Sequence, residues 1–454
     1  NDQYIQGVPA FPAGAKQLVS AFQINRPAYA WKHSDFKAED KNDLVIYEML
    51  FRDFTKSQNI AGAMSQLDYI SGLGVNAIEL MPIQEFDGNE SWGYNPNHYF
   101  AVDKAYGTSR QYKDFIEACH QRGIAVIIDV VYNHSTGDSP LAKLYWNSSS
   151  SKTSSNNPYF FVDAMHPFNV FHDINHSNTF VQQVVKRSLV YLIEEYNVDG
   201  FRCDVAHHIP ISFWEEARVE AEAIKPDVVI VAESSRPYDM RYAFDAEYNW
   251  SIARYAMRPI LDKDPKFADK GGMAYVRAQH IKNASVRPKG ALHWNMTDNH
   301  DFATDAFDNR MEKRLGNACC ELQLAFSFAI DGVPFLFNGQ EIAHSKRVSL
   351  FGHKDCWIDW RTDGATNVAK DRTEKIKAWA KMRKEQKALV YGETEWIDND
   401  RPVDVCSFKR TLEGSDDVLF VGNFTDVETK VTLADGTKYT LAPFEYIFAP
   451  QTNK

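Results

Sequence analysis

Apolar and polar positions recur along this chain in one order: a short apolar run, a polar loop, then a stretch with apolar residues three or four apart. The run 44–50 reads as a strand. Ile60, Met64, Leu67, Ile70 and Leu73 then mark a helix face, because a period near 3.6 stacks such positions. Residues 76–81 form the next run. Tyr112, Phe115, Ile116 and Cys119 mark the next helix, with Thr108 or Ser109 as its N-cap. The run 124–131 is apolar on both faces save for Asp129, as a strand buried inside a parallel sheet reads. Val181, Val184, Val185, Leu189 and Leu192 share another helix face. Further strand-like runs fall at 199–205, 228–233, 243–248, 291–296 and 333–338. Eight strands alternating with helices predict an α/β fold, a (β/α)8 TIM barrel. The competing fold is a doubly wound open sheet, but no GxGxxG follows the first strand.

Two segments break the rhythm. Residues 135–174 are polar, lack helical period and contain NSSSSKTSSNN; they read as a loop excursion after strand three, with a mobile Ser/Asn tract. From about 389 the pattern switches to period two with turn residues between, which predicts a small C-terminal antiparallel β domain, sandwich-like, over 389–454. The barrel then occupies 43–388, and 1–42 form an N-terminal tail or linker.

Charge inside the apolar runs locates the chemistry. Catalytic groups of such barrels gather where strands end. Strand three ends in Asp129, Asn133 and His134; strand four in Arg202, Asp204, His207 and His208; strand five in Glu233. Strand seven is followed by Asp298, Asn299, His300 and Asp301. A buried charge in GFRCDV is costly unless paired. Arg202 and Asp204 point to the same side of a strand, two residues apart, so the guanidinium favours an ionised carboxylate. Three carboxylates on separate strands suit glycoside hydrolysis, one attacking the anomeric carbon and one protonating the departing oxygen. Glu215 and Glu216 are rival acids by composition, but they lie in SFWEEARVEAEA, a solvated helix.

These segments resemble the signature regions of the α-amylase family, retaining barrel glycoside hydrolases of the family 13 type. DVVYNH at 129–134, GFRCDVAHH at 200–208, VAES at 231–234 and DNHD at 298–301 match in order and spacing. SWGYNPNHYFAVDKAYGT at 91–108 and FNGQEI at 337–342 resemble further family segments, and FDAEYNW at 244–250 supports the register of VAES. The resemblance implies Asp204 as nucleophile, Glu233 as general acid and then base, and Asp301 as the third carboxylate gripping sugar hydroxyls. It implies that Arg202 holds Asp204 ionised, that His134 and His300 hydrogen-bond the sugar, and that Tyr94 stacks under it. His207 stands where the family often has Lys, a change on the leaving-group side. The resemblance also implies a calcium ion between excursion and barrel, held by Asn133, Asp173 and the backbone carbonyl of His208. HDIN at 172–175 matches that pattern only in part, so calcium stays open, and no organic cofactor is expected. The implied activity is hydrolysis of α-1,4-glucosidic bonds in starch, glycogen or maltodextrin. A transglycosylase, an α-1,6-acting relative and a non-catalytic sugar-binding homologue are the alternatives.

Composition narrows the partners. The chain has 454 residues, 61 acidic against 50 basic, for a net charge of −11. An acidic surface argues against nucleic acid, whose phosphates need Lys and Arg. No run reaches the roughly 18 apolar residues of a membrane span. Aromatic residues make up 13%, and their flat faces suit sugar rings as well as cores. The six cysteines show no metal-binding spacing and read as buried thiols. A monomer is expected. The chain begins at Asn1 without Met or a signal segment, as a processed or truncated chain would, and a polymeric glucan substrate makes export the expectation.

Overall fold

The computed structural model describes residues 12–14, 19, 24–166, 170–234, 236, 239–305, 310–352 and 356–451. Eight parallel strands close into a barrel: β1 (Ile46–Met49), β2 (Ala77–Leu80), β3 (Ala125–Val130), β4 (Gly200–Cys203), β5 (Val229–Ala232), β6 (Ala246–Tyr248), β7 (Leu292–Asn295) and β8 (Val333–Phe337). They pair in chain order, and β8 closes on β1 with Ile46 opposite Phe335 and Glu48 opposite Phe337. The runs are buried on both faces because helices cover the outside and side chains fill the inside. Gly200 opens β4 where a Cβ would stand 2.4 Å from the Val229 carbonyl oxygen, so only glycine lets the strands approach there.

The helices follow their sequence signals. Thr108 caps the helix Ser109–His120 in a capping box, accepting from the Gln111 N–H while Gln111 Oε1 accepts from the Thr108 N–H. The face marked by Ile60 to Leu73 is instead two short helices, Ile60–Met64 and Leu67–Gly72. The break is local: the Ser65 hydroxyl donates back to the Gly62 carbonyl at 2.7 Å and competes with helix continuation.

The excursion leaves and rejoins the barrel as a ribbon, with His134 opposite Asp173 and Ser135 opposite His172. Its Ser/Asn tract folds into a hairpin pairing Trp146–Asn147 with Lys152–Thr153. Of the expected tail, residues 1–11, 15–18 and 20–23 lie outside the described residues. Residues 24–42 cross the rim from which the strands start. There the Tyr29 hydroxyl donates to Asp114 at 2.7 Å, Phe36 stacks on His120 at 4.2 Å, and Lys41 pairs with Asp245 at 2.8 Å.

The C-terminal part forms an antiparallel four-stranded sheet of β9 (Glu393–Trp396), β10 (Val405–Thr411), β11 (Asp417–Asn423) and β14 (Tyr446–Gln451). A hairpin of β12 (Thr429–Thr432) and β13 (Lys438–Leu441) accompanies it. Period two divides its faces. Val405, Leu419 and Val421 pack with Val431, Leu433 and Leu441 of the hairpin, while Cys406, Phe408 and Phe420 join the barrel's own core. All six cysteines are buried. No helix among the described residues is long and apolar enough to cross a membrane.

Candidate active site

Arg202 stands at the centre of the mouth because β4 turns it inward at the level where β3 presents Asp129 and β5 ends. Its Nη1 donates to both Asp129 oxygens at 3.1 and 3.0 Å and to Asp204 Oδ1 at 2.9 Å. Its Nη2 lies 3.0 Å from Glu233 Oε2, a charge contact not aligned as a hydrogen bond. Arg202 is fully buried, so its cation is stabilised by these carboxylates rather than by water. The sequence-level expectation that it serves Asp204 is therefore too narrow: one guanidinium is divided among three acids.

The turn after β4 is strained for a purpose visible in its bonds. Val205 has φ +36°, a left-handed backbone that a β-branched residue rarely adopts. That geometry aims its N–H at Glu233 Oε2, 2.9 Å away. His207 then contacts the Glu233 carbonyl through Nδ1 at 3.3 Å.

Asp301 and His300 come from the segment after β7. The His300 Nδ1–H donates to Glu48 Oε1 of β1 at 2.5 Å, and Nε2 lies 3.7 Å from Asp301 Oδ1. Tyr94 stacks on the His300 ring with centroids 4.9 Å apart, and its hydroxyl donates to Asp129 Oδ2 at 2.6 Å. His134 is buried, and its Nε2–H donates to the Tyr94 carbonyl at 2.8 Å, so it braces the tyrosine loop. Asp204, Glu233, Asp301, Arg202, Tyr94 and His300 are thus joined in one contact network, with His134 and His207 at its margin. Glu215 and Glu216 lie on the outer helix Ile211–Glu222, where Glu216 pairs with Lys186.

The electrostatics follow from burial and from who shares the guanidinium. Burial raises Asp129 to about 6 although Arg202 and the Tyr94 hydroxyl pull it down. Asp204 is pushed well above the carboxylate range by burial and by Glu233 and Asp129, against the pull of Arg202. Glu233 is also disfavoured by burial, but Arg202 and the Val205 N–H bring it below its ordinary value. Burial raises Asp301, and Glu233 adds to this against the pull of His300. Burial alone would lower His300; Asp301 and Glu48 outweigh it and raise the imidazole to about 10.

Two contributors escaped the sequence reading. Glu48 holds His300, and Glu79 accepts from the Tyr248 hydroxyl on the far side of the barrel. Both sit opposite each other on β1 and β2. The signal was present, since each is the lone charge in an apolar run, the same signal that exposed Arg202 and Asp204.

The expected calcium ligands form a separate cluster beside the mouth. Asn133 Oδ1 accepts from His166 Nε2 at 3.0 Å, Asp173 Oδ2 lies 3.5 Å from that nitrogen, and His208 stacks on the His166 ring at 4.0 Å. Asp173 Oδ2 also accepts from the Met165 N–H at 2.9 Å. Calcium takes six to eight oxygens. Here an imidazole stands between the side-chain oxygens of Asn133 and Asp173, and no group of three or more His, Cys, Asp or Glu suited to a metal occurs among the described residues. In this arrangement the side-chain donor set at Asn133 and Asp173 does not suit calcium.

Comparison with known proteins shows the family. The family model "Alpha amylase, catalytic domain" matches residues 45–172 and 165–402. The intracellular maltogenic amylase of Bacillus subtilis (strain 168) is 28% identical over 376 residues, covering 78% of this chain and 60% of that protein. The cyclomaltodextrinase of Geobacillus thermopakistaniensis is 25% identical over 409 residues, covering 83% of this chain and 63% of that protein. This chain thus spans about 60% of the length of the curated relatives it matches. The crystal structure of a noncanonic maltogenic alpha-amylase from Thermotoga neapolitana superposes with a TM-score of 0.72 at 23% identity, covering 90% of this chain and 96% of that one. The expectation of export is corrected by these relatives. The Bacillus subtilis protein is named intracellular, so an α-glucan substrate does not by itself place such a chain outside the cell.

Proposed function

This chain belongs to the α-amylase family of glycoside hydrolases, and from that premise we propose that it hydrolyses α-1,4-glucosidic bonds of maltodextrins or starch with retention of configuration. The observation that carries the reading is the meeting of Asp204, Glu233 and Asp301, from three different strand ends, in one network around Arg202 and His300. The names of the relatives, maltogenic amylase and cyclomaltodextrinase, favour linear or cyclic maltodextrin as the substrate.

In the proposed mechanism Asp204 attacks the anomeric carbon while Glu233 protonates the departing glycosidic oxygen. The glycosyl-enzyme ester is then hydrolysed by water that Glu233, now a base, deprotonates. Asp301 and the His300 imidazolium bind sugar hydroxyls. The first step needs the proton on Glu233 and the charge on Asp204. The arrangement described above has the opposite bias, with Glu233 low and Asp204 high. The acids around Arg202 interact strongly and share their protons as a set. A proton on Glu233 removes one of the charges that raise Asp204, so protonation of the acid and ionisation of the nucleophile go together.

Two variants test the roles. Asp204→Asn is expected to lower kcat on maltoheptaose at least about 10³-fold with melting unchanged, since the nucleophile is lost and the fold is not. Glu233→Gln is expected to lose about 10²- to 10⁴-fold on maltoheptaose and far less on an aryl glycoside whose leaving group needs no proton. Equal losses on both substrates would remove Glu233 as the acid. Chromatography that yields products longer than maltoheptaose would replace hydrolysis by transfer.

A further inference from the structure

The three residues that family resemblance assigns to calcium all touch one side chain of this chain, His166. Asn133 follows β3, His208 lies in the turn after β4, and Asp173 sits on the returning strand of the excursion. His166 reaches all three: Nε2 is 3.0 Å from Asn133 Oδ1 and 3.5 Å from Asp173 Oδ2, and the ring lies 4.0 Å from the His208 ring at an interplanar angle of 19°. We propose that His166 takes the place of a metal ion in fastening the excursion to the barrel mouth, so that this chain holds its mouth together without calcium.

Donor and acceptors agree at Nε2, while Asp173 Oδ1 is buried without a hydrogen-bond partner among the described residues. The Asn133 amide oxygen and the Asp173 carboxylate are both acceptors, so the proton between them belongs to Nε2. Calcium would need the same oxygens at about 2.3–2.6 Å, a place the imidazole nitrogen already fills. The flat ring adds what an ion does not, a stacking face for His208. Backbone bonds complete the joint, with the Ile174 N–H donating to the Asn133 carbonyl at 3.0 Å.

The fastening bears on the acid side of the mouth. Asn133 precedes His134, which braces Tyr94. His208 follows His207, which touches the Glu233 carbonyl, and the two rings lie 4.1 Å apart. His166 is therefore a positioning residue and touches no reacting atom.

Calcium binding and melting are read without substrate, so their outcome is independent of whether the chain hydrolyses glucan. Wild-type protein dialysed against chelator and then against millimolar calcium is expected to retain no stoichiometric calcium by elemental analysis and to melt at the same temperature in both. His166→Ala is expected to melt roughly 1–3 °C lower, with the hydrogen bond to Asn133 and the stacking lost. His166→Gln, which keeps an N–H donor at similar reach, is expected to recover at least half of that loss. Where turnover is measured, kcat is expected to fall further than KM rises in His166→Ala. One bound calcium per wild-type chain with a raised melting temperature would overturn the proposal. So would a His166→Ala protein that melts like wild type, or a glutamine variant no better than the alanine one.

Discussion

Arg202 pulls on three acids of the mouth, and Glu48 joins Asp301 in raising His300. Both act from inside the barrel, where water cannot compete. The raised His300 value has a definite sign for stability. The folded chain keeps a proton to about 10 that an ordinary imidazole releases near 6.5. This contribution is complete below pH 6.5 and is lost as pH rises toward 10. Glu48→Gln removes one of the two anions responsible. His300 is then expected to titrate about 1–3 units lower, moving the alkaline limb of the kcat/KM profile toward neutral pH. The same variant should flatten the fall in melting temperature between pH 7 and pH 10. A profile that superposes on wild type would show that Glu48 does not set the proton on His300. Arg202 and Asp204 were legible in sequence because a charged pair two residues apart interrupts an apolar run. Glu48 carried the same mark, but its partner lies 252 positions away, which no local pattern reveals.

At the scale of elements, Asp204, Glu233 and Asp301 follow the ends of β4, β5 and β7, where backbone pairing stops. Val205 shows the local cost, since its left-handed backbone is what turns an N–H toward Glu233. Helix starts were readable where a side chain closes them. The Thr108 capping box is one such case, and Thr108→Ala is expected to cost about 1 kcal/mol in a denaturant titration. The break at Ser65 was not readable, because the apolar spacing of Ile60 to Leu73 runs on unchanged through it. Periodicity reports which side faces the core, not whether the backbone hydrogen bonds continue.

At the scale of the molecule, the C-terminal sheet and the barrel share one core. Phe326 of the helix Asn317–Ala329 meets Phe408, Phe420 and Phe424 edge-on with centroids 5.8–6.1 Å apart, and Trp379 packs on Tyr446 and Phe448. Burial continuous across the joint predicts a single cooperative unfolding transition in calorimetry. Phe420→Ala is expected to cost about 3–5 kcal/mol and to shift that transition as a whole. A second transition of its own for the sheet would show that the shared core does not couple the two parts.

Much of this was written locally. Eight apolar runs with helices between them predict a parallel sheet buried on both faces, and their number matches a closed barrel. Charges placed at the ends of those runs announced an acid-rich mouth, and the spacing of the four motifs announced its family. Tertiary structure decided what depends on distance across the barrel. It divided Arg202 among three acids, set Glu48 under His300, and put an imidazole between Asn133 and Asp173. None of these is a property of a segment. The first two arise where strands remote in sequence bring charges within a few ångströms in a medium that screens them poorly, and the third where the excursion folds back on the end of β3.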